Sequence, residues 1–279
     1  VQARETIELG DFARTRDLSP IAAAIRRMCA AANGAPVLGV CIGFPANLDP
    51  DAAAIVSYAA MDIQQPTSFA QVFPAFWREV ELPVYLENDA NLACEGEAFL
   101  RRGAGGAANM LYLSIGSGCG GAVRLDGKLR RGARCRAGEV GAMLLQPALG
   151  APGRSAARET LEDAVCLAAL ERRFGAALRD GAQPGEASAQ AMRDYLCGPL
   201  SGAVYSLVMT LDVELCVLAG IVPGALGMQL CTQVSEALRA ALPESTPVRV
   251  EPSVSADAGV IGAAATVFER SLDALLGSG

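Results

Sequence analysis

Two short stretches carry residues able to do chemistry. Leu86-Glu-Asn-Asp-Ala-Asn91 places three polar side chains, Glu87, Asn88 and Asp89, at the end of a strand that starts at Pro83. Further on, Leu111-Tyr-Leu-Ser-Ile-Gly-Ser-Gly-Cys-Gly-Gly-Ala122 reads as a buried strand entering a glycine-rich turn and leaving through Val123-Arg124-Leu125. Gly116, Gly118, Gly120 and Gly121 can take backbone angles that other residues avoid. They also let backbone N–H groups approach an anion such as a phosphate, and Ser117 adds a hydroxyl donor. A carboxylate at a strand end, with a phosphate-type loop downstream, points to transfer of a phosphoryl group to a hydroxyl.

These residues need a scaffold, and the sequence outlines one. Val1 to Leu9 alternates apolar and polar residues, as a half-exposed strand does. Leu18 to Ala32 predicts a helix with Ile21, Ile25 and Met28 as its stripe, and Asp17 or Ser19 as its cap. Val37 to Phe44 is a short strand stopped by Pro45. Phe69 to Val80 predicts a helix, Val84 to Leu86 a strand, and Ala90 to Leu100 a helix. Such alternation implies a mostly parallel sheet with helices on its faces. The Gly- and Arg-rich loop Arg101 to Ala108 marks a domain boundary. Beyond it come strands Met110 to Ile115 and Gly121 to Leu125, then a tight turn at Asp126-Gly127. Helices are expected over Arg158 to Phe174, Ser188 to Leu211, Ala225 to Leu242 and Ala258 to Leu276, with a buried strand at Leu215 to Leu218.

Composition narrows the function. The 279 residues are 52% hydrophobic and 19% charged, which describes a folded globular chain. No apolar run reaches the ~18 residues of a membrane span. The net charge is −7 and the single lysine is Lys128, which argues against DNA binding by this segment itself. The chain starts at Val1 rather than Met, so residues upstream are expected to have been removed or to lie outside it. The nine cysteines form no C-x-x-C pair and mostly sit in apolar runs, as buried thiols in a reducing cytoplasm do. Histidine is absent, which removes imidazole acid–base catalysis and the commonest transition-metal ligand.

The order of these motifs resembles the ROK family of repressors, open reading frames and sugar kinases. Glu87-Asn88-Asp89-Ala90-Asn91 is similar to its sugar and catalytic-base signature, and Ser114 to Ala122 to its second phosphate motif. Asp126-Gly127-Lys128-Leu129-Arg130-Arg131-Gly132 and Ala137-Gly138-Glu139-Val140-Gly141 match the family's segment downstream of that motif. Asp212 to Gly220 resembles the strand leading to the adenosine loop, and Gly262-Ala263-Ala264 the start of the last helix. The resemblance implies an α/β, two-domain, actin-like ATPase (ribonuclease H-like) sugar kinase fold. One lobe would hold residues 1–103 with 258–279 and the other 104–257, with the sugar between them. It also implies a homodimer and, as ligand, a hexose or N-acetylhexosamine.

In such kinases the aspartate matching Asp89 takes the proton of the sugar hydroxyl as the phosphate arrives. The asparagine matching Asn88 and the glutamates matching Glu139 and Glu159 hold the other hydroxyls. On the cofactor side the resemblance implies ATP with magnesium, held by Gly116, Ser117, Gly118, Gly120, Gly121 and Gly220. Taken alone, Asp89 reads equally as a helix N-cap, Glu139 as a solvated loop residue and Glu159 as a first-turn helix residue.

Three departures bear on function. The opening D-x-G-G-T phosphate hairpin is absent. The zinc ligands of the family fall on Ala142, Gly150, Pro152 and Ala157, so no structural zinc and no metal-ligating residue is expected. The adenosine-side glycine run reads Ala219-Gly220-Ile221, and the family's upstream sugar-contacting asparagine falls near Ala60. The expected function is therefore sugar sensing within a transcriptional regulator, with little or no kinase activity. The alternatives are an ATP-dependent glucokinase or N-acylhexosamine kinase using Asp89 as base, and a scaffold retained for oligomerisation.

Overall fold

The computed structural model describes residues 3–32, 34–103, 106–145, 159–175, 178 and 183–276. Residues 3–9 form no strand, although their alternation predicts one. Alternation shapes two faces but makes no ladder without a partner edge. The short helix α1 (Phe12–Thr15) is capped by the Asp11 carboxylate, and α2 (Ser19–Ala30) comes next with Pro20 in its first turn. Strand β1 (Val40–Phe44) is shorter than expected.

Three short strands, β2 (Asn47–Asp49), β3 (Ala54–Ser57) and β4 (Thr67–Ser68), form an antiparallel sheet that the sequence pattern did not announce. The helix expected over 69–80 is two helices, α3 (Phe69–Val72) and α4 (Pro74–Glu79). Pro74 has no N–H to continue α3 and pushes the residue before it out of the helical region, so Phe73 takes φ −125° and ψ 64°. The break turns Phe69, Phe73 and Phe76 inward, all fully buried around Phe44 with Leu48 and Ile55. Phe44 meets Phe69 and Phe73 edge-on at 5.7 Å each.

Strand β5 (Val84–Asn88) pairs in parallel with β1, from Val40 opposite Val84 to Phe44 opposite Asn88. It runs directly into α5 (Asp89–Leu100). Next come β6 (Met110–Ile115), β7 (Cys119–Leu125) and β8 (Lys128–Arg130). The helix expected over 158–174 divides into α6 (Leu161–Val165) and α7 (Leu167–Phe174) at an extended Cys166. That break frees the Leu167 N–H to donate to the Gly116 carbonyl at 2.8 Å.

Helix α8 (Glu186–Leu211) leads to β9 (Leu215–Ala219). Helix α9 (Ile221–Ala241) is kinked at Gly227, and β10 (Arg249–Pro252) precedes α10 (Ala258–Leu276). The five-stranded sheet runs β10-β9-β6-β7-β8, parallel from β10 to β6 and antiparallel from β6 to β8. Among the described residues no helix is long and apolar enough to cross a membrane.

Two contacts fix α5, whose first residue is Asp89. Gly96 and Gly262 let α5 and α10 cross in backbone contact: a Cβ at Gly96 would lie 1.8 Å from the Ala258 carbonyl, and one at Gly262 1.9 Å from that of Leu92. At the other end, the buried Glu97 and Arg101 form an ion pair at 2.9 Å. Arg101 also pairs with Glu251 on β10 and donates to the Pro252 carbonyl, so α5 is tied to both sides of the segment entering α10.

Candidate functional site

Asn88 ends β5 and caps α5: its Oδ1 accepts the Asn91 N–H at 3.1 Å, and its Nδ2 donates to the Ala46 carbonyl at 3.2 Å. Asp89 is therefore the first helical residue rather than the cap. It is exposed, with one oxygen accepting the Ala90 N–H at 2.9 Å and the other without a partner among the described residues. Glu87, by contrast, is buried. It accepts from the Asn88 N–H, from Asn91 at 2.8 Å, and from the Arg131 guanidinium at 2.7 and 2.5 Å. Glu87 thus anchors the strand end to the loop after β8 and leaves Asn88 and Asp89 facing outward.

Glu139 is placed by glycines. Gly138 has φ +95°, and a Cβ there would stand 2.4 Å from the Gly121 carbonyl; one at Gly141 would stand 2.1 Å from that of Cys119. The loop lies flat on β7 only because both residues lack a side chain, and Glu139 is carried to the cleft edge between them. In the amide orientation that satisfies both its ends, Asn47 donates to Glu139 at 2.8 Å and accepts from the Ser57 hydroxyl at 3.0 Å. Arg136 donates to that same hydroxyl at 3.3 Å. Burial raises the pKa of Glu139 above 4.5, with Arg136 and Asn47 pulling it down and the charge of Glu162 pushing it up.

These groups line one cleft of about 1090 Å³, together with Tyr58, Tyr112, Ser114 and the turn at 116–118. Burial raises the Tyr58 phenol, with the Asp89 charge adding to the shift. Of the expected sugar-side residues, Asn88, Asp89 and Glu139 are brought together, and Glu159 is not. The Glu159 backbone pairs with Leu145, and the residue lines a separate cavity of about 550 Å³ with Tyr195 and Pro199. Three residues on, Glu162 reaches the cleft instead. The start of α6 explains the offset. Thr160 and Asp163 form a capping box, so the helix begins at Leu161, and the fully buried Leu161 sets the direction of Glu162.

The glycine turn is tighter than the sequence implies. Ile115 pairs with Cys119, so only Gly116, Ser117 and Gly118 lie outside the ladder, and Gly120 and Gly121 belong to β7. Gly121 is required by packing, since a Cβ there would meet the Tyr112 carbonyl and the Val140 side chain at 2.8 Å. Gly220 is likewise required by packing: with φ +93°, a Cβ would sit 2.5 Å from the Ile115 carbonyl. Ile221 opens α9 as an exposed side chain beside Gly116.

The turn offers a phosphate fewer free donors than its glycines imply. The Gly116 N–H donates within the turn to Gly118, and the Cys119 N–H donates to Glu162 at 2.8 Å. Ala142 ends a 3-10 turn at 140–142 just after Glu139, and the other expected zinc positions, Gly150, Pro152 and Ala157, lie outside the described residues.

Sequence reasoning missed Asn47, Ser57, Arg136 and Glu162. A Thr-x-x-Asp box before an apolar pair signals the start of α6 and so the position of Glu162. No comparable signal marks Asn47 or Ser57, which reach Glu139 only through the short β2–β3 ladder.

The model of the ROK family matches residues 12–270. A glucokinase of Halalkalibacterium halodurans is 34% identical over 141 residues, covering 48% of this chain and 40% of that protein. A xylose repressor of Caldicellulosiruptor bescii is 33% identical over 105 residues, covering 38% and 25%. The matched part is thus less than half the length of each of these curated relatives. Among solved structures, a ROK hexokinase from Thermus thermophilus is 28% identical, with a TM-score of 0.61 over 83% of this chain and 78% of that one.

Proposed function

The chain belongs to the ROK family, and we propose that it binds an unphosphorylated hexose or N-acetylhexosamine in the cleft between Asp89 and Glu139, as the sensing part of a regulator. The observation that carries this reading is the convergence of three carboxylates, Asp89, Glu139 and Glu162, with Asn88 and Asn47 around one cavity. A sugar presents adjacent hydroxyl donors. Carboxylates accept hydrogen bonds from two hydroxyls at once, and bonds to a charged acceptor are the strong ones. The Arg136–Ser57–Asn47–Glu139 chain holds Glu139 in position before any ligand arrives.

Both a kinase and a repressor stand among the relatives, so kinship alone favours neither role. The phosphate side favours the sensor: two N–H groups of the glycine turn have internal partners, and Ile221 stands beside it. One observation favours a kinase, the unpartnered carboxylate oxygen of Asp89, which is what a base would offer to a sugar hydroxyl.

Calorimetry with a panel of hexoses and N-acetylhexosamines, without nucleotide, tests the reading. Saturable binding of at least one sugar is expected. A coupled assay that shows turnover, lost in Asp89→Asn, would overturn the sensor role and establish the kinase.

A further inference from the structure

We infer that Glu162 makes the glycine turn refuse anions, so that the cleft takes neutral, hydroxyl-rich sugars and excludes phosphate groups from residues 116–119. The selectivity for neutral sugars rests on the proposed sugar binding; the exclusion of anions from the turn does not. A phosphate is held at a turn by several N–H groups pointing at it together. Here the Gly116 N–H donates to the Gly118 carbonyl at 2.9 Å, and the Cys119 N–H donates to the Glu162 carboxylate at 2.8 Å. The N–H groups of Ser117 and Gly118 remain. The same Glu162 oxygen lies 2.9 Å from where a Cβ of residue 118 would be, so the carboxylate lies over the turn itself. An anion at the two remaining donors would stand beside a negative charge.

The backbone that carries Glu162 is fixed. The capping box of Thr160 and Asp163 fixes the start of α6, the Leu161 N–H donates to the Met143 carbonyl at 2.8 Å, and Leu161 is fully buried. Beyond α6, the Leu167 N–H donates to the Gly116 carbonyl. The segment therefore grips the turn from both ends, through Glu162 at its beginning and Leu167 after it. No cation compensates among the described residues. Arg136 is the one basic residue lining the cleft, and it reaches across to Ser57, while Asp62, Asp89 and Glu139 add negative charge.

The test is a titration of inorganic phosphate into the whole chain, read at the backbone amide signals of Ser117, Gly118 and Cys119. The wild type is expected to show no saturable shift. Glu162→Ala is expected to gain phosphate binding by about tenfold or more, the effect of removing one charged contact. Glu162→Gln keeps an acceptor for the Cys119 N–H and removes only the charge, so a smaller gain is expected. Glu139→Gln removes a cleft carboxylate that does not touch the turn, and no gain is expected. Saturable phosphate binding at these amides in the wild type overturns the inference. So does a Glu162→Ala protein that melts as the wild type does and gains nothing; should that variant fail to fold, Glu162→Gln showing no gain decides the same point. An equal gain in Glu139→Gln also overturns it, since the effect would then be general charge. A wild type that binds no sugar fails the sugar-binding proposal alone, because the amide titration involves none.

Discussion

The two walls of the cleft are made from the same materials and end in opposite states. On the Asn47–Glu139 wall, hydrogen bonds run along the surface from Arg136 to Glu139, and the carboxylate at the end still has room for ligand donors. On the glycine-turn wall two donors are turned inward, the Gly116 N–H to Gly118 and the Cys119 N–H to Glu162. A glycine-rich turn offers a phosphate only those N–H groups that lack protein partners. A motif fixes backbone shape, while the neighbouring segment decides what that shape is free to bind.

The largest break in this comparison comes from the packing that supports both walls. Gly141→Val would place a Cβ 2.1 Å from the Cys119 carbonyl, where backbone meets backbone and neither can yield. It would displace Glu139 and the first residue of β7 together. A loss of about 3 kcal/mol or more is expected, at the upper end for single substitutions, measured by urea unfolding.

Next in size is Glu87→Ala. The carboxylate accepts from one backbone N–H, one amide and one guanidinium, all in a buried position. Its removal leaves those donors unmatched and should cost about 2–4 kcal/mol of stability. Sugar affinity should fall with it, because Asn88 and Asp89 lose their anchor. Loss of stability with full sugar affinity at low temperature would show that the strand end holds its shape without Glu87.

Glu139→Ala leaves the fold intact and removes one open acceptor. Sugar binding should weaken by roughly one to two orders of magnitude, the effect of one charge-assisted contact of about 1.5–3 kcal/mol. The same residue predicts a pH dependence. Its carboxyl protonates at a pH above the ordinary 4.5 because burial disfavours its charge. Sugar affinity should fall as pH is lowered, with a midpoint above 4.5, and this component should vanish in Glu139→Gln. For stability the sign is reversed. The raised folded pKa means that Glu139 costs nothing below 4.5 and becomes unfavourable as pH rises through its folded value.

The fold was legible where sequence and packing make the same demand. Ala137-Gly138-Glu139-Val140-Gly141 could be read by its family resemblance, and its glycines are forced by backbone contact; Met110–Ile115 could be read because it is apolar but for Ser114. Asn47, Ser57 and β10 were not legible: β2 and β3 are strands of three and four residues with a register shift at Asn47/Leu48, and β10 is completed by β9 across the intervening helix. The break at Phe73 was written in the sequence as Pro74. The break at Cys166 was not, since its reason is a bond from Leu167 to the turn at Gly116. Glu159 and Glu162 exchanged places because the position of a helix start, set by Thr160 and Asp163, decides which side chain reaches the cleft.

The smallest expected effect separates two explanations for the proposed closure of the phosphate side. The sequence points to Ile221, a β-branched residue where a close approach is expected. The structure points to Glu162. Ile221 is 46% exposed at the first position of α9 and approaches Gly116 only at its outer end. Trimming it to alanine removes little buried surface, so stability should change by no more than about 0.5 kcal/mol. If Glu162 alone closes the turn, Ile221→Ala leaves the phosphate titration of Ser117 and Gly118 unchanged, and Ile221→Ala added to Glu162→Ala gains no more than Glu162→Ala by itself. If Ile221 were the barrier, the single Ile221→Ala substitution would open the site with the carboxylate still in place. Amide titration of the two single variants and the double variant therefore assigns the barrier to one residue, and a gain in Ile221→Ala alone would move it from the carboxylate to the isoleucine.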